Sequence, residues 1–127
     1  MDNDKLNKKL KELKIEDYIW LIYIGIIFLS WYSNSLERNY YLTKNSVSKD
    51  KYQKIMILIF TVLLIVYLYF LKSSIDSIKA LSKNASQKTK NMVYLTFYAS
   101  LLITISGVIF LYVAIIDNNL DVELAFN

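Results

Sequence analysis

The sequence predicts an all-α integral membrane protein with three transmembrane helices and a short basic amphipathic helix at its N-terminus. Three observations predict this fold: long stretches without a charged side chain, aromatic residues at the edges of those stretches, and basic residues between them. The stretches are residues 18–35, 55–71 and 92–116. A bilayer core of about 30 Å needs about 17 to 25 helical residues, so each stretch can cross it once.

Two other architectures fit these stretches less well. A soluble three-helix bundle needs a polar face on each helix, whereas the three stretches are apolar on all sides. A β-barrel needs short segments of alternating polarity, and the stretches do not alternate. The abundant Ile, Val, Tyr and Phe residues favour strands in water, but in lipid the backbone satisfies its polar groups in a helix or a closed barrel.

The rest of the chain connects the spans within a single membrane domain, residues 1–127. Residues 1–17 are predicted to form a basic juxtamembrane helix, 36–54 an outer loop, 72–91 a Lys-rich cytoplasmic extension and loop, and 117–127 an acidic tail. In the first segment Leu6, Leu10 and Leu13 follow a helical spacing, which predicts an amphipathic helix lying on the inner membrane surface. The tail alternates like a strand, so it either adds to a partner's sheet or is disordered.

Aromatic residues mark the predicted membrane interfaces, where Trp and Tyr are enriched. The predicted interface anchors are Tyr18, Trp20, Trp31, Tyr32, Tyr67, Tyr69 and Tyr94. An alternative for the first span is a secretory signal peptide, because a basic and an apolar region precede the small residues Ser33 and Ser35. Trp31 and Tyr32 stand where an interface anchor belongs and favour a retained span.

Basic residues predict the orientation, because short cytoplasmic loops carry more Lys and Arg than outer loops. The 15 basic residues fall into three groups of five, in the N-terminal segment, the first loop and the second loop, and the tail has none. A cytoplasmic N-terminus places ten of them inside and five outside. We therefore predict a multi-pass protein of the cell membrane with its N-terminus in the cytoplasm and its C-terminus outside.

The residue inventory argues against catalysis. Histidine and cysteine are absent, and every Asp and Glu lies outside the three stretches. The spans therefore offer no acid, base, nucleophile or metal cluster, and we predict a non-enzymatic protein without a cofactor. The basic segments flank membrane spans, so they are expected to meet anionic lipid headgroups rather than nucleic acid.

Small residues in the third stretch predict a helix-packing seam. A repeat of seven keeps residues on one side of a left-handed helix pair, and small side chains let two helices approach closely in lipid. Gly25 in the first span is expected at a membrane depth similar to that of Gly107. It is therefore predicted to face this seam, within the monomer or between copies. A polar stripe lining a water path is the alternative. The predicted seam comprises Gly25, Ala99, Ser100, Ser106, Gly107 and Ala114.

These observations favour a small accessory or regulatory subunit that docks through its third span on a larger membrane complex. Two alternatives are a bacteriocin-type immunity protein and a holin-like self-assembling pore. A minimal oligomeric transporter is a third, although a proton-coupled transporter usually has an ionisable residue within a span. The abundance of Ile, Asn and Lys suggests an AT-rich, bacterial genome. The predicted partners are the lipid bilayer and either another membrane protein or a second copy.

Overall fold

A computed structural model describes residues 3–117 and Leu120, and three α-helices account for nearly all of them. The first helix, α1, is Asn3–Thr43, α2 is Ser46–Lys79 and α3 is Gln87–Ile116. Each helix is long enough and apolar enough to cross a membrane. The predicted all-α fold with three candidate spans is therefore confirmed.

The central helix is α2. It packs against α1 and against α3, whereas no Cα atom of α1 lies within 8 Å of a Cα atom of α3. The most deeply buried large side chains among the described residues also belong to α2: Met56, Ile59 and Phe60 are each 1% exposed. Many large apolar side chains of α1 and α3 point outward, as lipid allows because its tails are as apolar as leucine.

The first helix is longer than the predicted span. Its 41 residues extend about 60 Å at 1.5 Å per residue, roughly twice the bilayer core. The predicted basic helix is present, but it forms the first turns of α1 and is not a separate helix lying on the membrane surface. No proline or glycine lies between Asn3 and Gly25, so the sequence contains no residue that would bend the chain where the span begins.

The predicted outer loop at residues 36–54 is mostly helical. Between α1 and α2 the structure has two non-helical residues, Lys44 and Asn45. Lys44 has a φ of 57°, in the left-handed region, and its amide donates to the carbonyl of Tyr40 at 2.7 Å. The Asn45 side chain accepts from the amide of Val47 at 2.9 Å and caps α2. Charged residues indicate where the chain leaves the hydrocarbon, but they do not end a helix.

The second connection comprises residues 80–86. α2 continues to Lys79, beyond the end of its predicted span, so the predicted helical extension after residue 71 is observed. Ser86 caps α3 by accepting from the amide of Thr89 at 3.1 Å. The predictions for the tail concern residues that, apart from Asp117 and Leu120, lie outside the described part of the chain.

Neighbouring helices are antiparallel. The C-terminus of α1, the N-terminus of α2 and the C-terminus of α3 meet at one end, which we call the hairpin end. The opposite end, with the first residues of α1, is called the N-terminal end.

Candidate functional site

One face of α3 packs against α2 with a seven-residue repeat. Residues buried or half-buried on α3 recur at alternating spacings of four and three, the repeat of a left-handed helix pair. Ser100, Gly107 and Ala114 lie on this face, and the last two are buried. The face consists of Val93, Phe97, Ser100, Thr104, Gly107, Leu111 and Ala114. We call it the α2-facing seam.

Gly107 marks a close approach within this seam. A Cβ atom on Gly107 would lie 3.0 Å from Cδ2 and 3.3 Å from Cε2 of the Tyr67 ring, and 3.5 Å from Cδ1 of Leu64. The ring of Tyr67 therefore occupies the space that any other residue would need. Gly107 thus serves a contact within the chain, where it allows α3 to pack closely against α2.

Polar and aromatic contacts reinforce the α2–α3 pair. The Thr104 hydroxyl donates to the Ser100 carbonyl at 2.7 Å and lies 3.4 Å from the Tyr67 carbonyl. Near the hairpin end the rings of Phe60 and Phe110 stack with their centroids 5.4 Å apart. Hydropathy does not predict these roles, because every residue of a uniformly apolar span is equally suited to face lipid or protein.

Gln53 secures the C-terminus of α3. Its Nε2 donates to the carbonyls of Ala114 at 3.3 Å and Ile115 at 3.2 Å. The last carbonyls of a helix have no partner within the helix, and at a membrane interface leaving them unpaired is costly. A side chain of α2 thus completes the hydrogen bonding of α3.

Three of the predicted seam residues lie elsewhere. Ala99 and Ser106 are exposed, beside the α2-facing seam but outside it. Gly25 is exposed on α1, and a Cβ there would have no neighbour within 4 Å. Since no Cα atom of α1 lies within 8 Å of a Cα atom of α3, the predicted contact between Gly25 and Gly107 is absent from the described chain. A contact between copies remains a prediction.

The predicted interface anchors divide into two groups. Tyr18, Trp20, Trp31, Tyr32 and Tyr94 are exposed, as a side chain that contacts lipid headgroups must be. Tyr67 and Tyr69 are half-buried instead. The ring of Tyr67 packs on Gly107, so its main contact is with protein.

A polar network joins the helices at the hairpin end. Tyr52 is buried and its hydroxyl hydrogen-bonds the Glu37 carboxylate. Burial raises the pKa of the Tyr52 phenol well above its ordinary value, and the negative charge of Glu37 raises it further. Beside this pair, Nδ2 of Asn39 donates to the Ser48 hydroxyl at 2.7 Å. The outer loop predicted for residues 36–54 implies neither contact, because both depend on helical structure in this segment.

The described residues contain no group of three or more Asp, Glu, His or Cys side chains that could hold a metal ion. Comparison with known protein families, with characterised proteins and with solved structures finds no match. The class of the protein therefore follows from its own helices: it is a membrane-spanning protein with three candidate transmembrane helices.

Proposed function

We propose that the protein is a small non-enzymatic accessory or regulatory subunit of a larger complex in a bacterial cell membrane. Docking occurs through the free side of α3, against a transmembrane helix of the larger protein. The observation that carries this proposal is the pair of exposed small residues Ala99 and Ser106 on a helix whose other Gly, Ala and Ser residues are already packed against α2.

The geometry of α3 supports docking on that side. Ala99 and Ser106 are seven residues apart, so they lie one above the other on the helix. Ile103, between them, is 45% exposed. An exposed row with small residues at this spacing permits another helix to approach closely, as the α2-facing seam permits α2 to approach. Lipid alone would require no small residue there.

The residue inventory supports a binding role over a chemical one. Catalysis in a span needs an acid, base, nucleophile or metal, and the spans contain no His, Cys, Asp or Glu. Packing and regulation need only shape and a few polar contacts. The α2–α3 pair supplies a rigid support, because Gln53, Thr104 and the stacked phenylalanines hold α3 in place.

The proposed orientation has the N-terminus in the cytoplasm and the hairpin end outside. It rests on the distribution of lysines and can be tested directly, because the chain lacks cysteine. Single cysteines replacing Asn7, Asn45 or Asn84 are treated with an impermeant maleimide on intact cells. Labelling at Asn45 alone agrees with the proposal; labelling at Asn7 and Asn84 alone reverses the orientation.

Purification of the tagged protein from its native host in a mild detergent tests the proposed role. Mass spectrometry identifies what co-purifies, and native mass gives the stoichiometry. One larger membrane protein at near-equal amount supports the proposal. A homo-oligomer without another protein contradicts it, and planar-bilayer conductance then distinguishes a pore from an immunity protein.

Matched variants test the docking face. Ala99→Leu and Ser106→Leu add bulk to the exposed row and are expected to reduce recovery of the partner at least about fivefold, since overpacking an interface typically costs about 1–3 kcal/mol. Val108→Phe is the control: Val108 is 51% exposed and lies about 200° around the helix from Ser106. Equal losses in all three variants would contradict docking through this row.

A further inference from the structure

A polar cleft lies between the first turns of α1 and the last turns of α2. Its volume is about 470 Å³, and its lining includes Lys8, Lys11 and Glu12 from α1 and Lys72 and Asp76 from α2. Neither the packing of the spans nor the proposed docking face uses this cleft, which lies at the N-terminal end.

The lysines of the cleft have no partner among the described residues. No ammonium group of Lys8, Lys11 or Lys72 forms an ion pair with a described carboxylate within 4.0 Å, although Glu12 and Asp76 line the same cleft. Three lysines against two carboxylates leave the lining of the cleft with a net positive charge. The cleft therefore favours an anion over a cation.

The apolar residues that line the cleft indicate its position along the membrane normal. Ile15 and Tyr69 belong to it; Ile15 lies three residues before the charge-free stretch that begins at residue 18, and Tyr69 lies two residues before the end of the stretch that ends at residue 71. Lys72 is the first charged residue after the second stretch. The cleft thus opens where the helices pass from hydrocarbon to headgroups, a level at which tyrosine and lysine are favoured.

We propose that the cleft binds the phosphate of an anionic glycerophospholipid in the leaflet on the N-terminal side. A phosphodiester is negatively charged, opposite in sign to the excess of lysine in the lining, and ammonium groups bind phosphate as point charges. Exposed apolar side chains on both helices, among them Ile22 on α1 and Ile65 on α2, lie farther toward the bilayer centre and are available to the acyl chains.

This site is more specific than a basic membrane surface. Lysines that only anchor a chain attract every anionic lipid diffusely, and any three of them are equivalent. Lysines on two facing helices around one cleft hold a single headgroup. Binding should therefore depend on which lysines are removed, and not on how many.

Binding of short-chain lipids to the purified full-length protein in neutral detergent tests the proposal, with native mass spectrometry as the readout. The probes are dioctanoyl phosphatidylglycerol, dioctanoyl phosphatidylcholine and inorganic phosphate. One variant carries Lys8→Gln, Lys11→Gln and Lys72→Gln. Its control carries Lys49→Gln, Lys51→Gln and Lys54→Gln, which remove the same charge near the hairpin end.

The expected result is one tightly bound phosphatidylglycerol, preferred over phosphatidylcholine because the choline cation is repelled by the lysines. Affinity for phosphatidylglycerol should fall at least about tenfold in the cleft variant, because several exposed ion pairs with the phosphate are lost together. It should change less than about twofold in the control. Equal losses in both variants, or equal binding of the two lipids, would overturn the proposal. Displacement of the lipid by millimolar inorganic phosphate would instead assign the cleft to a soluble anion.

Thermal unfolding of both variants without lipid shows whether they fold. If the cleft variant unfolds cooperatively at the wild-type temperature and still binds phosphatidylglycerol, the proposal is wrong. The proposed function does not enter this test, since the lipid is added to the isolated protein.

Discussion

The ring of Tyr67 on α2 fills the space beside Gly107 on α3, where a Cβ atom would lie 3.0 Å from the ring. Gly107 is the fifth of the seven residues of the α2-facing seam. Three residues before Gly107, the Thr104 hydroxyl lies 3.4 Å from the Tyr67 carbonyl. Three residues after it, the ring of Phe110 stacks on that of Phe60. The glycine therefore sets how closely α3 approaches the central helix.

Replacing Gly107 with Leu should destabilise the protein by about 1–3 kcal/mol, the usual cost of overpacking. The leucine side chain would meet the Tyr67 ring, so α3 would have to move away from α2. Thermal unfolding followed by size-exclusion elution in detergent measures the effect.

Gly25→Leu is the matched control on α1. A Cβ at this position meets nothing within 4 Å, and leucine favours a helix over glycine by up to about 1 kcal/mol. The monomer should be unaffected or slightly more stable. A larger loss for Gly25→Leu than for Gly107→Leu would show that the seam has been misassigned.

Tyr52 should make stability sensitive to alkaline pH. Its pKa is raised in the folded protein by burial and by Glu37, so folding favours the protonated phenol. This contribution is fully present below the unfolded pKa of about 10 and is lost as pH rises from there toward the folded pKa. Wild type should lose stability above about pH 10 more steeply than Tyr52→Phe.

At neutral pH wild type should be more stable than Tyr52→Phe. Tyr52→Phe removes a donor from the partly buried Glu37 carboxylate, at a cost of about 1–2 kcal/mol. The midpoint of thermal unfolding, measured for both proteins between neutral and alkaline pH, tests both statements. Parallel curves across the alkaline range would show that Tyr52 titrates alike in the folded and unfolded chains.

Gln53→Met should loosen the last turn of α3. The substitution keeps the length of the side chain and removes both hydrogen bonds to the carbonyls of Ala114 and Ile115, with an expected loss of about 1 kcal/mol. Hydrogen exchange should accelerate in the amides of the last turn before those of the middle of α3. Gln87→Met, at the exposed start of α3, is the control and should leave that turn unchanged.

Lys44 holds a left-handed conformation in the turn between α1 and α2. Lys44→Val should cost about 1–2 kcal/mol, because a β-branched residue is strained there. Lys44→Gly relieves that strain and serves as the control for the lost contacts of the ammonium group, which lies 5.3 Å from the Tyr40 ring centroid. If the two variants have equal stability, the backbone conformation at residue 44 contributes little.

The sequence is sufficient to predict the three candidate spans, because each is a long uncharged segment, and hydropathy reports that property directly. Helix ends were harder to predict. Glu37, Arg38 and Lys49 indicate that the chain has left the hydrocarbon, yet they are compatible with helix, and only Lys44 and Asn45 interrupt it. The capping side chain of Asn45 depends on local geometry that hydropathy does not record.

The spacing of small residues located a packing face but not its partner. A shared predicted depth pairs Gly25 with Gly107, whereas in the structure Tyr67 fills the space beside Gly107. A tyrosine near the end of a span can serve either as an interface anchor or as a contact between helices. Periodicity within one helix cannot distinguish these roles, because the choice depends on which helix lies alongside.

Disulfide cross-linking within one chain tests most directly the central claim that α3 packs on α2 and not on α1. The chain lacks cysteine, so Tyr67→Cys with Gly107→Cys forms one pair. Gly25→Cys with Gly107→Cys forms the other, with Tyr67→Ala added to make room. A protease site in the connection at residues 80–86 separates α3 from the rest unless a disulfide holds them together. We predict that the first pair resists separation and that the second separates completely. Efficient cross-linking of the second pair within a single chain, with separation of the first, would contradict the account.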